Sequence, residues 1–184
     1  MTHWRHAVLR SLTPDLICES LCDVDLDALH ERGIRSILLD LDNTVCRWKC
    51  DDISEGTADW VRRARERFSL CIVSNSIRPK RLNRIAEALG IPSVGRWGLG
   101  RKPFKGGIRA ALRLLAAAPN ETAMIGDQIM TDIWGGNRMG LYTIWVRPLC
   151  ERDFIGTRPA RFIERLLVAH FRRLGILPEG WRCA

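Results

Sequence analysis

Ile37-Leu38-Leu39-Asp40-Leu41-Asp42-Asn43-Thr44 decides how this chain is read. Three consecutive apolar residues mark the end of a strand buried on both faces. Two carboxylates, Asp40 and Asp42, follow where the chain leaves the sheet. In open α/β sheets ligands bind outside the carboxyl ends of the strands, so the pair is placed for chemistry. Two negative groups side by side need a compensating cation, and all-oxygen donors suit Mg2+. The competing reading is an Asp-Asn turn that merely closes a strand, since both residues favour turns. What lies on either side decides between them.

Downstream, Leu70-Cys71-Ile72-Val73 is a second buried strand ending in Ser74-Asn75-Ser76. Small hydroxyl and amide residues there leave backbone N–H groups free to hold a phosphate oxygen. Glu55 to Arg67 reads as the helix between the two strands, and Pro79 to Leu89, closed by Gly90, as the next helix. Ile91 to Gly95 is a weaker strand. Lys102 sits in the loop Gly98-Leu99-Gly100-Arg101-Lys102-Pro103, ahead of a helix from Gly106 to Ala117. Ala123-Met124-Ile125 then delivers Gly126-Asp127, with Asp132 near the start of a helix that stops at Gly140, and Tyr142 to Val146 is the last strand. Upstream, Asp25 to Arg32 reads as a helix ended by Gly33. Strands alternating with helices predict an α/β fold, a three-layer sandwich around a parallel sheet.

Asp40 with Asp42, Ser74, Lys102, and Asp127 with Asp132 form one constellation, its strand-borne members each at the carboxyl end of a parallel strand. These motifs resemble those of the haloacid dehalogenase (HAD) superfamily: D-x-D-x-T, a Ser or Thr, a Lys, and G-D-x-x-x-x-D. The resemblance implies a HAD-like Rossmannoid domain with Asp40 as nucleophile and Asp42 as general acid/base. It implies Ser74, Asn75 and Lys102 as phosphate ligands, and Asp40, Asp42, Asp127 and Asp132 as the Mg2+ set. A carboxylate nucleophile divides hydrolysis into two steps through an aspartyl-phosphate. An acid at position 42 favours a phosphatase over a dehalogenase by the same likeness.

The likeness extends to the YqeG subfamily and the related phosphatidylglycerophosphate phosphatases, over roughly Leu12 to Leu174. It is carried by Leu12-Thr13-Pro14-Asp15, Gly33-Ile34-Arg35-Ser36, the acid pair, Ser74-Asn75-Ser76, and Ile125-Gly126-Asp127-Gln128-Ile129-Met130-Thr131-Asp132-Ile133-Trp134-Gly135-Gly136-Asn137-Arg138. It implies phosphatidylglycerophosphate as substrate and an anionic phospholipid head group as partner. Neither the gap from Asp40 to Ser74 nor that from Ser74 to Lys102 has room for a cap domain, so an open site is expected, accessible to a bulky substrate. Two other readings stay open. One is a capless phosphatase for phosphoproteins, nucleic-acid ends or a soluble phosphorylated metabolite. The other is a receiver-like phosphoacceptor module without enzymatic turnover.

Composition frames these expectations. The chain has 184 residues and a formal charge of +8, long enough for one domain with a real core. Twelve Lys and Arg between Arg62 and Lys105 face only Glu66 and Glu87, a balance that calls for an anionic partner. Nucleic acid is not expected as the partner. No apolar run approaches the ~18 residues of a membrane span, and Met1 to His6 lead into no signal-like apolar core, so a cytoplasmic location is expected. Residues 1–33 read as an N-terminal helical extension, 34–150 as the catalytic core, and 151–184 as a basic C-terminal helix and tail. Trp4, Val8 and Leu12 share a helix face in the first segment, as do Phe162, Leu166 and Phe171 in the last. Arginines beside both predict peripheral contact with the cytosolic face of an anionic membrane. Seven cysteines, an odd number, suit reduced thiols. Cys18/Cys22, expected on a helix, and Cys46/Cys50, beside the acid pair, have loose zinc spacing but no paired histidine.

Overall fold

The computed structural model describes residues 11–76, 78–95 and 101–150, together with 167–169, 171–173, 175 and 177. Alternation of apolar side chains along the central strands dictates the layering, because successive residues point to opposite faces. On β2 (Ser36–Leu39), Ile37 and Leu39 enter one core and Leu38 the other. β3 (Ser69–Ser74) divides likewise, Leu70 and Ile72 against Cys71 and Val73. A sheet apolar on both faces must be covered on both.

Three helices cover the first face: α1 (Leu26–Glu31), α2 (Glu55–Arg65) and α3 (Pro79–Leu89). Asp25 starts α1 by accepting N–H bonds from Asp27 and Ala28, at 2.8 and 3.1 Å, and Ser54 starts α2 by accepting from Thr57 at 3.2 Å; both satisfy donors that a helix start leaves open. Trp60 of α2 is fully buried and donates its indole N–H to the Val24 carbonyl at 2.9 Å. The second face is covered by α4 (Lys105–Leu114), through Ile108, Ala111 and Leu112.

With β1 (Leu16–Cys18), β4 (Ser93–Gly95), β5 (Thr122–Gly126) and β6 (Tyr142–Val146), the sheet has six strands in the order β1-β6-β5-β2-β3-β4, every pair parallel. The expected parallel α/β sandwich is therefore the fold. Between β2 and β3 the chain holds one loop and α2, and between β3 and Lys102 the described residues hold α3 and β4. Neither insert is a cap.

The N-terminal segment departs from its expected helical form. β1 lies in it and pairs with β6, Leu16 opposite Ile144 and Cys18 opposite Val146. Asp15 anchors this edge, its carboxylate accepting from the Thr143 N–H at 2.8 Å while its own N–H donates to the Thr143 carbonyl at 2.9 Å. Cys18 thus sits on a strand and Cys22 in a 3-10 turn (Leu21–Asp23), not on one helix. The short strand is half-exposed and carries no alternation that could announce it. The basic helices expected at the two ends lie mostly outside the described residues. Of their apolar positions, Leu12 and Phe171 are buried in a cluster with Ile129, Ile133 and Trp145; both pack on the domain and are withdrawn from any membrane-facing side.

Candidate active site

Leu39 ends β2, and the Asp40 N–H continues its ladder by donating to the Ile125 carbonyl at 2.9 Å. This fixes Asp40 at the mouth of the sheet, between β5 and β3. Next door, β5 ends in Gly126 and Asp127, and the chain turns through a π-helical segment (Ile129–Ile133) into α5 (Trp134–Asn137). The wide turn swings Asp132 back over the strand end, where its Oδ2 accepts from the Gln128 N–H at 3.1 Å. Gly126 makes the approach possible: a Cβ there would stand 2.3 Å from the Asp132 carboxylate carbon. The helix was expected to begin near Asp132. It begins earlier and wider, as π turns often do at functional sites.

One oxygen each of Asp40, Asp127 and Asp132 lies within 4.8 Å of the others, and all three residues are buried. Lys102 meets this group from the other side. Its Nζ is 2.5 Å from Asp40 Oδ1 and 2.6 Å from Asp132 Oδ1. Burial pushes the Asp40 carboxyl up to about 7; Lys102 opposes that, while Asp132 and then Asp42 add to it. Burial alone would lower Lys102, but Asp132 and Asp40 hold its ammonium above the ordinary lysine value. Three carboxylates against one ammonium leave a negative centre out of reach of bulk water. Hard oxygen donors in that balance fit a small divalent cation.

Ser74 closes β3 and is buried; its hydroxyl accepts from the Ser76 N–H at 3.0 Å. Asn75 holds Lys102 by its main chain, accepting from the Lys102 N–H at 2.8 Å and donating to the Lys102 carbonyl at 3.0 Å. The side chain expected to bind phosphate is thus engaged at both ends in placing another residue. Asn43, at φ +65°, accepts from the Trp48 N–H at 3.1 Å through its side chain and from the Leu149 N–H at 3.0 Å through its carbonyl.

A family model described as mitochondrial PGP phosphatase matches residues 7–149. The chain belongs to this family. It is 32% identical over 163 residues to the probable phosphatase YqeG of Bacillus subtilis strain 168, covering 88% of this chain and 92% of that one. It is 29% identical over 177 residues to phosphatidylglycerophosphate phosphatase 1, chloroplastic, of Chlamydomonas reinhardtii, covering 91% of this chain and 65% of the relative. A haloacid dehalogenase-like hydrolase from Streptococcus pneumoniae superposes with a TM-score of 0.50 at 13% identity, over 61% of this chain and 84% of that one. That last likeness concerns the fold. As a member of the PGP phosphatase family, the chain is a HAD-type phosphatase.

Two features of this PGP phosphatase family member escaped the sequence reading. The Asp42 side chain, expected among the Mg2+ ligands, is not part of the group formed by Asp40, Asp127 and Asp132; it pairs with Arg81, whose Nη1 lies 2.8 Å from Asp42 Oδ1. Arg81 itself is buried, on the same stripe of α3 as Ile85 and Leu89. The sign was present: residues 81, 85 and 89 recur every four along a helix, and an arginine on an apolar stripe needs buried partners.

Proposed function

We propose that this chain is a Mg2+-dependent phosphomonoesterase that works through an aspartyl-phosphate on Asp40, with phosphatidylglycerophosphate as substrate and phosphatidylglycerol and phosphate as products. The observation that carries the reading is Asp40 at the carboxyl end of β2, ion-paired to buried Lys102 and grouped with Asp127 and Asp132. Asp40, Asp127 and Asp132 would hold the cation by their carboxylates. Bound there, Mg2+ would offset the charge of a phosphate dianion and polarise its oxygens.

The residues of the chain divide the remaining work. An Asp40 carboxylate oxygen attacks phosphorus as the bond to the leaving oxygen breaks. Lys102 and backbone N–H groups after Ser74 stabilise the oxygens that gain charge. Asp42, protonated at that moment, gives its proton to the departing alkoxide. It then takes one from the water that attacks phosphorus and frees Asp40. The absence of a cap among the described residues leaves room for a head group presented by a bilayer. The family and the chloroplastic relative support the lipid as substrate.

Purified protein with Mg2+, offered phosphatidylglycerophosphate, sugar phosphates, nucleotides and a phosphopeptide, tests the substrate. The lipid should lead in kcat/KM; a soluble metabolite ahead by orders of magnitude would end that assignment. Roles are tested separately. Asp40→Asn and Asp42→Asn should both stop turnover, yet only the second should accept a phosphoryl group. Phosphate trapped on Asp40→Asn refutes the nucleophile.

A further inference from the structure

Arg81 stands outside the motifs and yet is the most heavily bonded side chain beside them. Its Nη1 donates to Asp42 Oδ1 at 2.8 Å and its Nε to Asp51 Oδ1 at 3.0 Å. Its Nη2 reaches the Cys50 carbonyl at 2.6 Å, the Cys46 sulfur at 3.1 Å and the Arg47 carbonyl at 3.3 Å. All five acceptors belong to the loop that follows β2. Burial pushes the Cys46 thiol up to about 12, so it meets the guanidinium as a neutral acceptor. A planar fork of fixed donors, itself fixed by four other partners, can hold a carboxylate in one orientation; a lysine's single nitrogen cannot serve so many acceptors.

We propose that Arg81 is a positioning residue: it fixes one oxygen of Asp42 so that the other handles the proton at the leaving group, and it sets the loop carrying Asp42 in the same act. This rests on the phosphatase reading above and adds a residue to it. The Asp42 side chain is a quarter exposed while Arg81 is buried beneath it, so the guanidinium supports the carboxylate from the protein side and leaves the mouth clear. Arg81 touches neither phosphorus nor the leaving group. Its effect therefore falls on proton delivery, where misplacing a group by about 1 Å can cost ~10²-fold in rate.

The test uses two substrates of similar shape. The nitrophenolate of 4-nitrophenyl phosphate departs without a proton, whereas the alkoxide of 4-nitrobenzyl phosphate needs one. Rapid-quench measurement of aspartyl-phosphate formation with Mg2+ is made on the full chain and on Arg81→Gln and Arg81→Lys. Both variants should lose about 10²-fold with the benzyl ester and less than about tenfold with the phenyl ester. Lysine should restore little of that difference. Equal losses with both esters would reduce Arg81 to a structural residue and overturn the proposal. Asp51→Asn, at a half-exposed position, removes one of the anchors of Arg81 with little risk to folding; it should shift the same ratio in the same direction by a smaller factor. An unchanged ratio in Asp51→Asn, should the Arg81 variants fail to fold, also overturns it. Failure of the unaltered chain to form a phosphoenzyme with either ester would overturn the parent reading, and the proposal with it.

Discussion

Asp40 is held where water barely reaches it, and its ordinary acidity is lost as a result. Burial lifts its folded pKa to about 7, above the ordinary carboxylate value of 3.8. The folded state therefore holds a proton that the unfolded chain has released, and stability falls as pH rises from about 4 to about 7. The metal-free protein is expected to lose on the order of a few kcal/mol across that window. Thermal melts across that range in a chelator check it, and a flat profile would contradict it. Mg2+ should reverse the loss near neutral pH, by ~2.7 kcal/mol at a hundredfold excess over Kd, and Asp127→Asn should abolish that gain. Lys102→Ala should lower kcat by about 10²–10³ in steady-state assays, the usual cost of one electrostatic donor. At this scale the sequence was informative wherever a residue's type is unusual for its place, as with two acids at a strand end. Arg81 hid because arginine is common in this chain, and its carboxylate partners lie 30 to 39 residues away in sequence.

The elements matter by where they end. β5 ends on a glycine because Asp132 must occupy the space of its missing side chain. Gly126→Ala should therefore displace Asp132, costing about 1–3 kcal/mol of stability through overpacking and activity along with it. Denaturant titration and a Mg2+ binding isotherm on that variant should both shift. A shift in stability with unchanged Mg2+ affinity would mean that Asp132 has not moved. Asn75→Ala should act at a distance of one side chain: the Lys102 backbone loses two bonds, so kcat should fall although Asn75 touches no carboxylate of the centre. The strands β2, β3, β5 and β6 were legible because each contains an unbroken run of at least three apolar residues. The π turn at Ile129–Ile133 was not, because sequence periodicity reports that a helix follows a strand and not how many residues its first turn contains.

Taken as a whole, the described residues form a parallel sheet with the acid cluster at the carboxyl ends of its central strands, and that much follows from motif order and strand burial. What stayed illegible is β1, three half-exposed residues whose strand character comes only from the partner they meet. Asp15 and Thr143 join across 128 positions of sequence. Among the described residues the earliest strand is thus completed by the latest, and β1 has no partner there until β6 exists. During synthesis β1 therefore waits for its partner β6 to be made. Long-range closure of this kind is slow. Pulse-labelled hydrogen exchange during refolding should therefore find the Thr143 amide protected after those of Leu38 and Ile72; simultaneous protection would show that the edge is seeded earlier. The acid cluster built on β2 and β5 can then assemble while the boundary of its own sheet is still unfinished.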